Sequence, residues 1–327
     1  MPKPIVVVGS INLDLVATAP HLPAPGETVI GNVFDTFWGG KGANQAVAAS
    51  KLGYPVTMIG KVGEDAFGSQ LIDGLRQSGV DVNSIQKVKS SSGVALIITD
   101  QHGENCIVVV PGANGELKPS DLDKYRQVLL GAGIILTQLE IPLETVSHLV
   151  DLAKKMDVPL MLDPAPAQRL PASLLQQLTW ITPNETEASQ LLATKNPTRS
   201  EEQVADELLN TGARHAILKL GSRGALVAQN HASKMLVPGF AVKAVDTTAA
   251  GDAFNGAFAV AILRGLKPIE AAHFANAVAA ISVTRVGAQP SMPTGEEVEQ
   301  FLREPSSTAV ELHPRVDAIE LPKSLQT

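Results

Sequence analysis

The chain is expected to fold as an α/β domain around a mostly parallel sheet covered by helices on both faces. Short apolar runs occur at Ile5 to Gly9, Val56 to Gly60, Ile134 to Leu139, Pro159 to Asp163, Trp180 to Pro183 and Ala216 to Gly221. Amphipathic segments alternate with them, including LETVSHLVDLAKKM over 143–156 and EEQVADELLNTG over 201–212. The second of these is opened by a Ser200-x-x-Gln203 capping box. Strand and helix in alternation place helices across both faces of a parallel sheet. Size agrees with this, because 327 residues, 44% of them apolar, can bury one large core or two unequal ones.

Two regions break the alternation. Residues 12–38 and 94–110 carry strand-like runs without a long helix between them, and ALIITD-QHGEN-CIVVV reads as a hairpin around Gly103. They predict a small β subdomain beside the main sheet, placed as a lid. A single domain is expected over 1–303, followed by an appendage of unknown role at 304–327. Formal net charge is -7 with no long basic run, which argues against a nucleic-acid partner and leaves any phosphate ligand to a local site. One cysteine, Cys106, excludes an intrachain disulfide, and MPKPIVVVGS has too short an apolar run for a signal peptide. No stretch approaches the roughly 18 apolar residues of a membrane span. These features predict a soluble, cytoplasmic protein without a membrane partner. Seven histidines lack spacing such as H-E-x-x-H, so none is assigned to a metal or to nucleophilic catalysis.

Open α/β sheets bind ligands beyond the carboxyl ends of their strands, so the loops there are where chemistry is sought. WGGKGANQAVAAS (38–50) is a glycine-rich turn feeding a helix of small residues, and Gly39, Gly40 and Gly42 permit close backbone approach. It is not a Walker A loop, because Lys41 is followed by Gly42 instead of Ser or Thr. Nor is it a dinucleotide fingerprint. The G-x-G pairs Gly40/Gly42 and Gly131/Gly133 are followed at the third position by Gln45 and Leu136, where that motif needs glycine or alanine.

AVDTTAAGDAFNGAF (244–258) is more specific. Ala249, Ala250 and Gly251 precede a helix whose first-turn N–H groups have no intrahelical partner, which makes an anion-binding nest. Asp252 beside it is either an ordinary helix cap or a base that takes a proton from an attacking hydroxyl. The combination of nest and carboxylate is the division of labour that phosphoryl transfer requires. In WITPNETEASQLL (180–192), Asn184 and Glu187 either cap a helix or hold Mg²⁺ through water. Asn12 and Asp14 follow the first strand as a turn or a hydroxyl reader, and Glu140 stands at the equivalent end of a later strand.

GSINLD, GGKGANQAVAA, PGANG, QLEIP, DPAPA, TPNETEA, LGSRGA, AVDTTAAGDAFNGA and VTRVGAQPS occur in an order that resembles the ribokinase-like carbohydrate kinases over roughly residues 4–303. The resemblance implies an α/β domain with a β lid that closes over sugar and often forms a homodimer interface. It also implies ATP-dependent phosphorylation of D-ribose at its 5-hydroxyl. By position, Asp252 resembles the general base, with Ala249, Ala250 and Gly251 as the anion hole. Asn12, Asp14, Gly40, Lys41, Gly42, Asn44 and Glu140 match sugar-binding positions. Asn184, Lys219, Gly221, Ser222, Gly224, Gly251 and Asn276 match nucleotide-binding positions, and Glu187 the acidic position that organises Mg²⁺ water. Asp246, Thr248, Ser282, Arg285, Gly287 and Ser291 match a monovalent-cation site, for which K⁺ is expected. The chain departs from the pattern at Asp163, where members often have asparagine, and at Asn276, where histidine can occur. Within the class, the alternatives are a kinase for 2-deoxyribose, fructose or a nucleoside. Outside it, the alternative is a non-catalytic sugar or nucleotide sensor, against which the retained Asp252 and its nest argue.

Overall fold

The structure, a computed structural model, describes residues 2–193, 199–230 and 234–303. Four strands lie early in the main sheet: β1 (Ile5–Val8), β4 (Val56–Gly63), β5 (Asp81–Val88) and β8 (Ile134–Thr137). Five follow: β9 (Leu160–Leu162), β10 (Trp180–Ile181), β11 (His215–Lys219), β12 (Ala225–Gln229) and β13 (Met235–Val237). Their order is β13-β12-β11-β10-β9-β8-β1-β4-β5. From β5 to β11 all pairings are parallel, while β12 and β13 add an antiparallel edge. The fold class is therefore the one the alternation predicts, although the strands start or end up to three residues from the apolar runs.

A second sheet holds β2 (Asn12–Thr18), β3 (Val33–Gly39), β6 (Gly93–Thr99) and β7 (Asn105–Val110), in the order β3-β2-β6-β7. The hairpin expected around Gly103 is β6–β7, and Gly103 takes φ 81° in its turn. The pairing of β2 with β6 is parallel, so this small sheet is mixed. β2 leaves the main sheet only four residues after β1, and Asn12 and Asp14 therefore sit where the two sheets meet. The appendage expected at 304–327 lies outside the described residues.

Helices that cover the main sheet include α1 (Lys41–Lys51), α2 (Ala66–Gln77), α3 (Pro119–Lys124), α4 (Arg126–Leu130), α5 (Leu143–Met156) and α6 (Ala172–Leu175). Further along are α7 (Glu185–Leu191), α8 (Glu201–Asn210), α9 (Ala250–Leu263), α10 (Pro268–Ser282) and α11 (Gly295–Arg303). The Ser200 hydroxyl accepts from the Gln203 N–H at 3.2 Å and the Gln203 side chain accepts from the Ser200 N–H, closing the capping box read from the sequence. Side chains alternate across a strand, so Ile5 and Val7 enter one apolar cluster while Val6 and Val8 enter another. The first contains Val47 of α1, Phe258 of α9 and Val278 of α10; the second contains Leu149 of α5 and Leu208 of α8. Among the described residues no helix is long and apolar enough to cross a membrane.

The contact that matters most for the site is α1 on α9. A Cβ placed on Gly256 of α9 would stand 2.7 Å from the Gln45 carbonyl oxygen and 2.8 Å from the Ala48 Cβ of α1. Backbone and a helix-bound methyl cannot swing aside, so this glycine sets how closely the two helices approach. That approach fixes the amino ends of both helices over the carboxyl ends of the strands. Gly256→Val is expected to force them apart and to lower unfolding stability by roughly 1–3 kcal/mol, measured by urea or thermal unfolding. Parental stability in this variant would show that the helices are free to separate.

Candidate active site

The carboxyl ends of β1, β8, β9, β10 and β11 lead into Ser10, Glu140, Asp163, Asn184 and Lys219, which converge on the amino ends of α1 and α9. A backbone bridge between Asn184 and Lys219 extends the parallel pairing past the formal strand ends.

α9 opens on Ala249, a non-glycine residue in the left-handed region with φ 59° and ψ 14°. Such a conformation costs of order 1–3 kcal/mol and is held where the surrounding chain needs it. Its effect is to bend TTAAGD so that first-turn amides face the cleft. The Ala250 N–H is drawn back to the Thr247 carbonyl at 3.3 Å, whereas among the described residues the N–H groups of Gly251 and Asp252 have no partner. The nest read over 249–251 is thus centred one residue later.

Asp252 lies in the first helical turn, 5% exposed, and does not cap α9, which has no side-chain cap. Its carboxylate accepts from the Asn44 Nδ2 and from the Gln45 Nε2, both at 3.0 Å. Asn44, expected to meet sugar, therefore also holds this carboxylate. Gln45 was not singled out in the sequence, nor was Gln138, whose Nε2 donates to the Gln45 Oε1 at 2.7 Å. Such a partner was legible only as a polar residue in an otherwise small and apolar helix.

At the start of α1, Gly40 takes φ 87°. Gly42 sits against β1's loop, where a Cβ would lie 2.8 Å from Gly9 and Ser10 backbone. At Gly42 the missing side chain also lets two segments of the chain come close together. The Lys41 N–H donates to the Glu140 Oε2 at 3.0 Å, and the Ser10 hydroxyl donates to the same oxygen. Glu140 thereby ties the end of β8 to the mouth of α1. Asn12 accepts from the Asn114 Nδ2 at 2.7 Å, and Asn114 also accepts from the Ile11 N–H at 2.9 Å. Asn114 belongs to PGANG, a motif visible in the sequence to which no role was attached.

Acidic groups outnumber lysines here, and the charges respond. Burial, then the nearby Glu140 and Asp252 charges, pushes the Asp14 carboxyl up to about 7 against the pull of Lys41. Burial likewise pushes Asp252 up, to about 6, with Asp163 adding to the rise and Lys41 and the two amides opposing it. Lys41 is half-buried, which disfavours its ammonium, yet the Asp252, Asp163, Glu140 and Glu187 carboxylates hold its pKa above the usual lysine range. Lys41 is therefore a fixed cation in a carboxylate-rich cleft.

Farther along the strand ends, Asn184 caps α7. Its Oδ1 accepts from the Glu187 N–H at 2.8 Å, and the Glu187 carboxylate accepts from both the Asn184 N–H and Nδ2. The capping alternative is therefore realised, and each carboxylate oxygen retains a lone pair for water. Lys219 reaches the other way, donating to the Asp163 Oδ1 at 2.9 Å. A Cβ on Gly251 would lie 3.2 Å from the Lys219 Nζ, so this ammonium stands at the mouth of α9. Gly221 and Ser222 form a tight turn to Gly224, which packs where a Cβ would lie 2.1 Å from the Val237 carbonyl oxygen. Asn276 donates its Nδ2 to the Val237 and Pro238 carbonyls, 3.0 and 3.1 Å away, so its amide hydrogens secure the end of β13.

Of the residues expected around a monovalent cation, Asp246, Thr248 and Gly287 meet directly. The Asp246 carboxylate accepts from the Thr248 N–H at 2.9 Å and from the Gly287 N–H at 2.8 Å, joining the segment before α9 to the one after α10. The Ser282 and Ser291 hydroxyls donate to the Ala279 and Ala288 carbonyls, and the Arg285 guanidinium turns outward to Glu297.

The model of the pfkB family of carbohydrate kinases matches residues 3–295. The chain belongs to this family. It is 42% identical to ribokinase of Bacillus subtilis over 300 residues, which cover 91% of this chain and 99% of that one. It is also 38% identical to deoxyribokinase of Salmonella typhi over 303 residues, 91% of this chain and 98% of that one. Among solved structures, Arabidopsis thaliana ribokinase complexed with ribose and ATP superposes with a TM-score of 0.87 at 36% identity, covering 93% of this chain and 99% of that chain. The fold expected from the sequence is thus that of a pfkB carbohydrate kinase.

A buried carboxylate must be ionised to accept a proton, and burial raises the pH at which that happens. Because Asp252 and Asp14 are pushed up to about 6 and about 7, activity is expected to fall as pH drops through 7 to 6, well before ordinary carboxylates protonate. The dependence of kcat/KM on pH checks this; a profile flat to pH 4.5 would remove both groups from the step.

Proposed function

We propose that this carbohydrate kinase transfers the γ-phosphoryl group of ATP to the 5-hydroxyl of D-ribose, with Asp252 as general base. The observation that carries the reading is one buried carboxylate, held by Asn44 and Gln45, beside first-turn N–H groups that take no partner among the described residues. Asp252 takes the hydroxyl proton as the hydroxyl oxygen bonds to the γ-phosphorus and the bond to the β-phosphate oxygen breaks, releasing ADP. The Gly251 and Asp252 N–H groups, with Ala249 and Ala250 shaping the turn, receive charge that develops on the transferring phosphoryl oxygens. Lys41 and Lys219 add fixed positive charge on either side.

Asn12, Asp14, Asn44 and Glu140, with the Gly40–Gly42 turn, form the sugar side. Asn184, Lys219, Gly221, Ser222, Gly224 and Gly251 form the nucleotide side, with Asn276 tied to it through the end of β13. Asn184 and Glu187 suit a water-mediated Mg²⁺, since that ion keeps several waters and needs only one or two protein oxygens. Bound there with ATP, Mg²⁺ would neutralise phosphate charge. Around Asp246, the residues Thr248, Ser282, Arg285, Gly287 and Ser291 would supply oxygens suited to K⁺, a large and weakly hydrated cation, with the Asp246 carboxylate already joining Thr248 to Gly287. A cation there would fix the segment that leads into Ala249.

The small sheet is proposed as the lid. Ile107, Val108, Val109 and Val110 of its edge strand are all exposed, as are Phe34 and Leu96. An apolar face and an open strand edge favour pairing with a second copy, giving a homodimer through the lid.

Similarity to both ribokinase and deoxyribokinase relatives makes the sugar the sharpest test. A site built to bond a hydroxyl leaves buried groups unpaired when that hydroxyl is missing, so ribose is expected to exceed 2-deoxyribose in kcat/KM by about 10-fold or more. Equal or better use of 2-deoxyribose in an ADP-release assay would overturn ribose as the substrate. Asp252→Asn is expected to lower kcat by roughly 10²- to 10⁴-fold while both KM values stay within a few-fold. Turnover close to the parent would remove Asp252 from the base role.

A further inference from the structure

Asp163 is the one carboxylate of the site that ties Lys219 to the Gln45 amide, and it has no role in the mechanism above. It is 3% exposed at the end of β9. Its Oδ1 accepts from the Lys219 Nζ at 2.9 Å, and its Oδ2 accepts from the Gln45 Nε2 at 3.0 Å. The same Gln45 nitrogen donates to the Asp252 Oδ1 at 3.0 Å. One amide therefore bridges two carboxylates with its two hydrogens. Gln138 fixes which way that amide points, because its own Nε2 donates to the Gln45 Oε1. The reverse orientation would set a carbonyl oxygen against both carboxylates.

Lys219 is in an electrostatically costly place. Its ammonium stands beside Gly251, at the positive end of the α9 dipole, where a cation is disfavoured and an anion favoured. Asp163 supplies the opposite charge that keeps it there, with the two side chains 3% and 12% exposed. An asparagine at 163 would still accept from Gln45 but would not balance Lys219. The acid at this position thus goes with the lysine at the end of β11.

We propose that Asp163 is a positioning residue for phosphoryl transfer, whose one carboxylate holds Lys219 at the phosphate side and, through Gln45, Asp252 at the acceptor side. This rests on the reading of Asp252 as base. The arrangement keeps the proton acceptor and the phosphate-facing cation at a set separation across the start of α9. It also sets the charge that Asp252 feels. Around that carboxylate are Asn44, Gln45 and Lys41 from α1, Asp163 from the end of β9 and Asp14 from β2. Glu140 from the end of β8 and Glu187 from α7 act on the same Lys41, and Lys219 from β11 acts through Asp163. Removing the Asp163 charge lowers the pH at which Asp252 ionises. Removing the Lys219 charge leaves Asp163 unbalanced and raises it.

The test compares Asp163→Asn, Lys219→Met and the double variant in sugar-dependent ADP release across pH. The upper transition of the acid limb of kcat/KM belongs to Asp14; in the lower transition, that of Asp252, Asp163→Asn is expected to produce a downward move and Lys219→Met an upward one, each of roughly half to one pH unit. Lys219→Met is expected to raise KM for ATP about 10-fold while KM for ribose changes less than about 2-fold, as one lost charge-assisted phosphate contact implies. In kcat/KM for ATP the double variant should lose less than the product of the single losses, since both act through one contact. Unmoved limbs, shifts of the same sign, or fully multiplicative losses would overturn the proposal. If Asp163→Asn alone does not fold, the double variant, with both charges gone, decides: parental kcat/KM for ATP overturns the proposal, and a loss with KM for ribose preserved supports it. A parent inactive on ribose and every other sugar would overturn the reading of the base, and this proposal with it; an active parent with unmoved limbs overturns this proposal alone.

Discussion

Two amides at the start of α1 hold the buried Asp252 carboxylate at the start of α9, and the rest of the site depends on that contact. It requires the two helices to lie almost backbone to backbone, which Gly256 permits by having no side chain where the Gln45 carbonyl passes. A run of alanines on both helices continues the same close packing away from the cleft. The parallel sheet beneath delivers the remaining groups, because β1, β8, β9, β10 and β11 all end on this side. Packing far from the chemistry thus decides where the proton acceptor stands, to within the tolerance that oriented catalysis demands.

The second constraint is charge. Carboxylates crowd a cleft whose ligand on one side is itself an anion, and such crowding is unfavourable unless cations and amides are interleaved. Lys41 lies among Asp252, Asp163, Glu140 and Glu187, while Lys219 is held by Asp163. Asn44 and Gln45 donate to the carboxylate that must stay ionised. The result is a carboxylate raised toward neutral pH by burial yet still able to shed its proton there, as the proposed base must. A surface carboxylate would be ionised too readily to bind a proton well, and one buried without amides would stay neutral.

Much of this was legible in the sequence, for identifiable reasons. Alternating apolar runs gave the sheet because burial on both faces leaves a strand no polar alternative, and the hairpin at Gly103 was marked by its turn. The edge formed by β12 and β13 did not show, since short strands next to glycine turns look like loop. Asp252 stood out because an acid in a small-residue helix start has few reasons to be there. Gln45, Gln138 and Asn114 did not, because their importance lies in partners 93 to 207 residues away, and Asp163 stood out only as a departure from the pattern, since its lysine partner lies 56 residues on. Asn184 and Glu187 show the converse: the helix cap, which the structure forms, and the proposed ligand use name the same atoms, so the pattern reads equally as either.

A structure with ribose and a non-hydrolysable ATP analogue bound together tests the central claim most directly. The account predicts the sugar 5-hydroxyl oxygen within hydrogen-bond reach of the Asp252 carboxylate, about 2.6–3.2 Å, with the terminal phosphate on the Gly251 and Asp252 N–H groups. A 5-hydroxyl directed at another group, with Asp252 still closed on Asn44 and Gln45 and out of its reach, would contradict it.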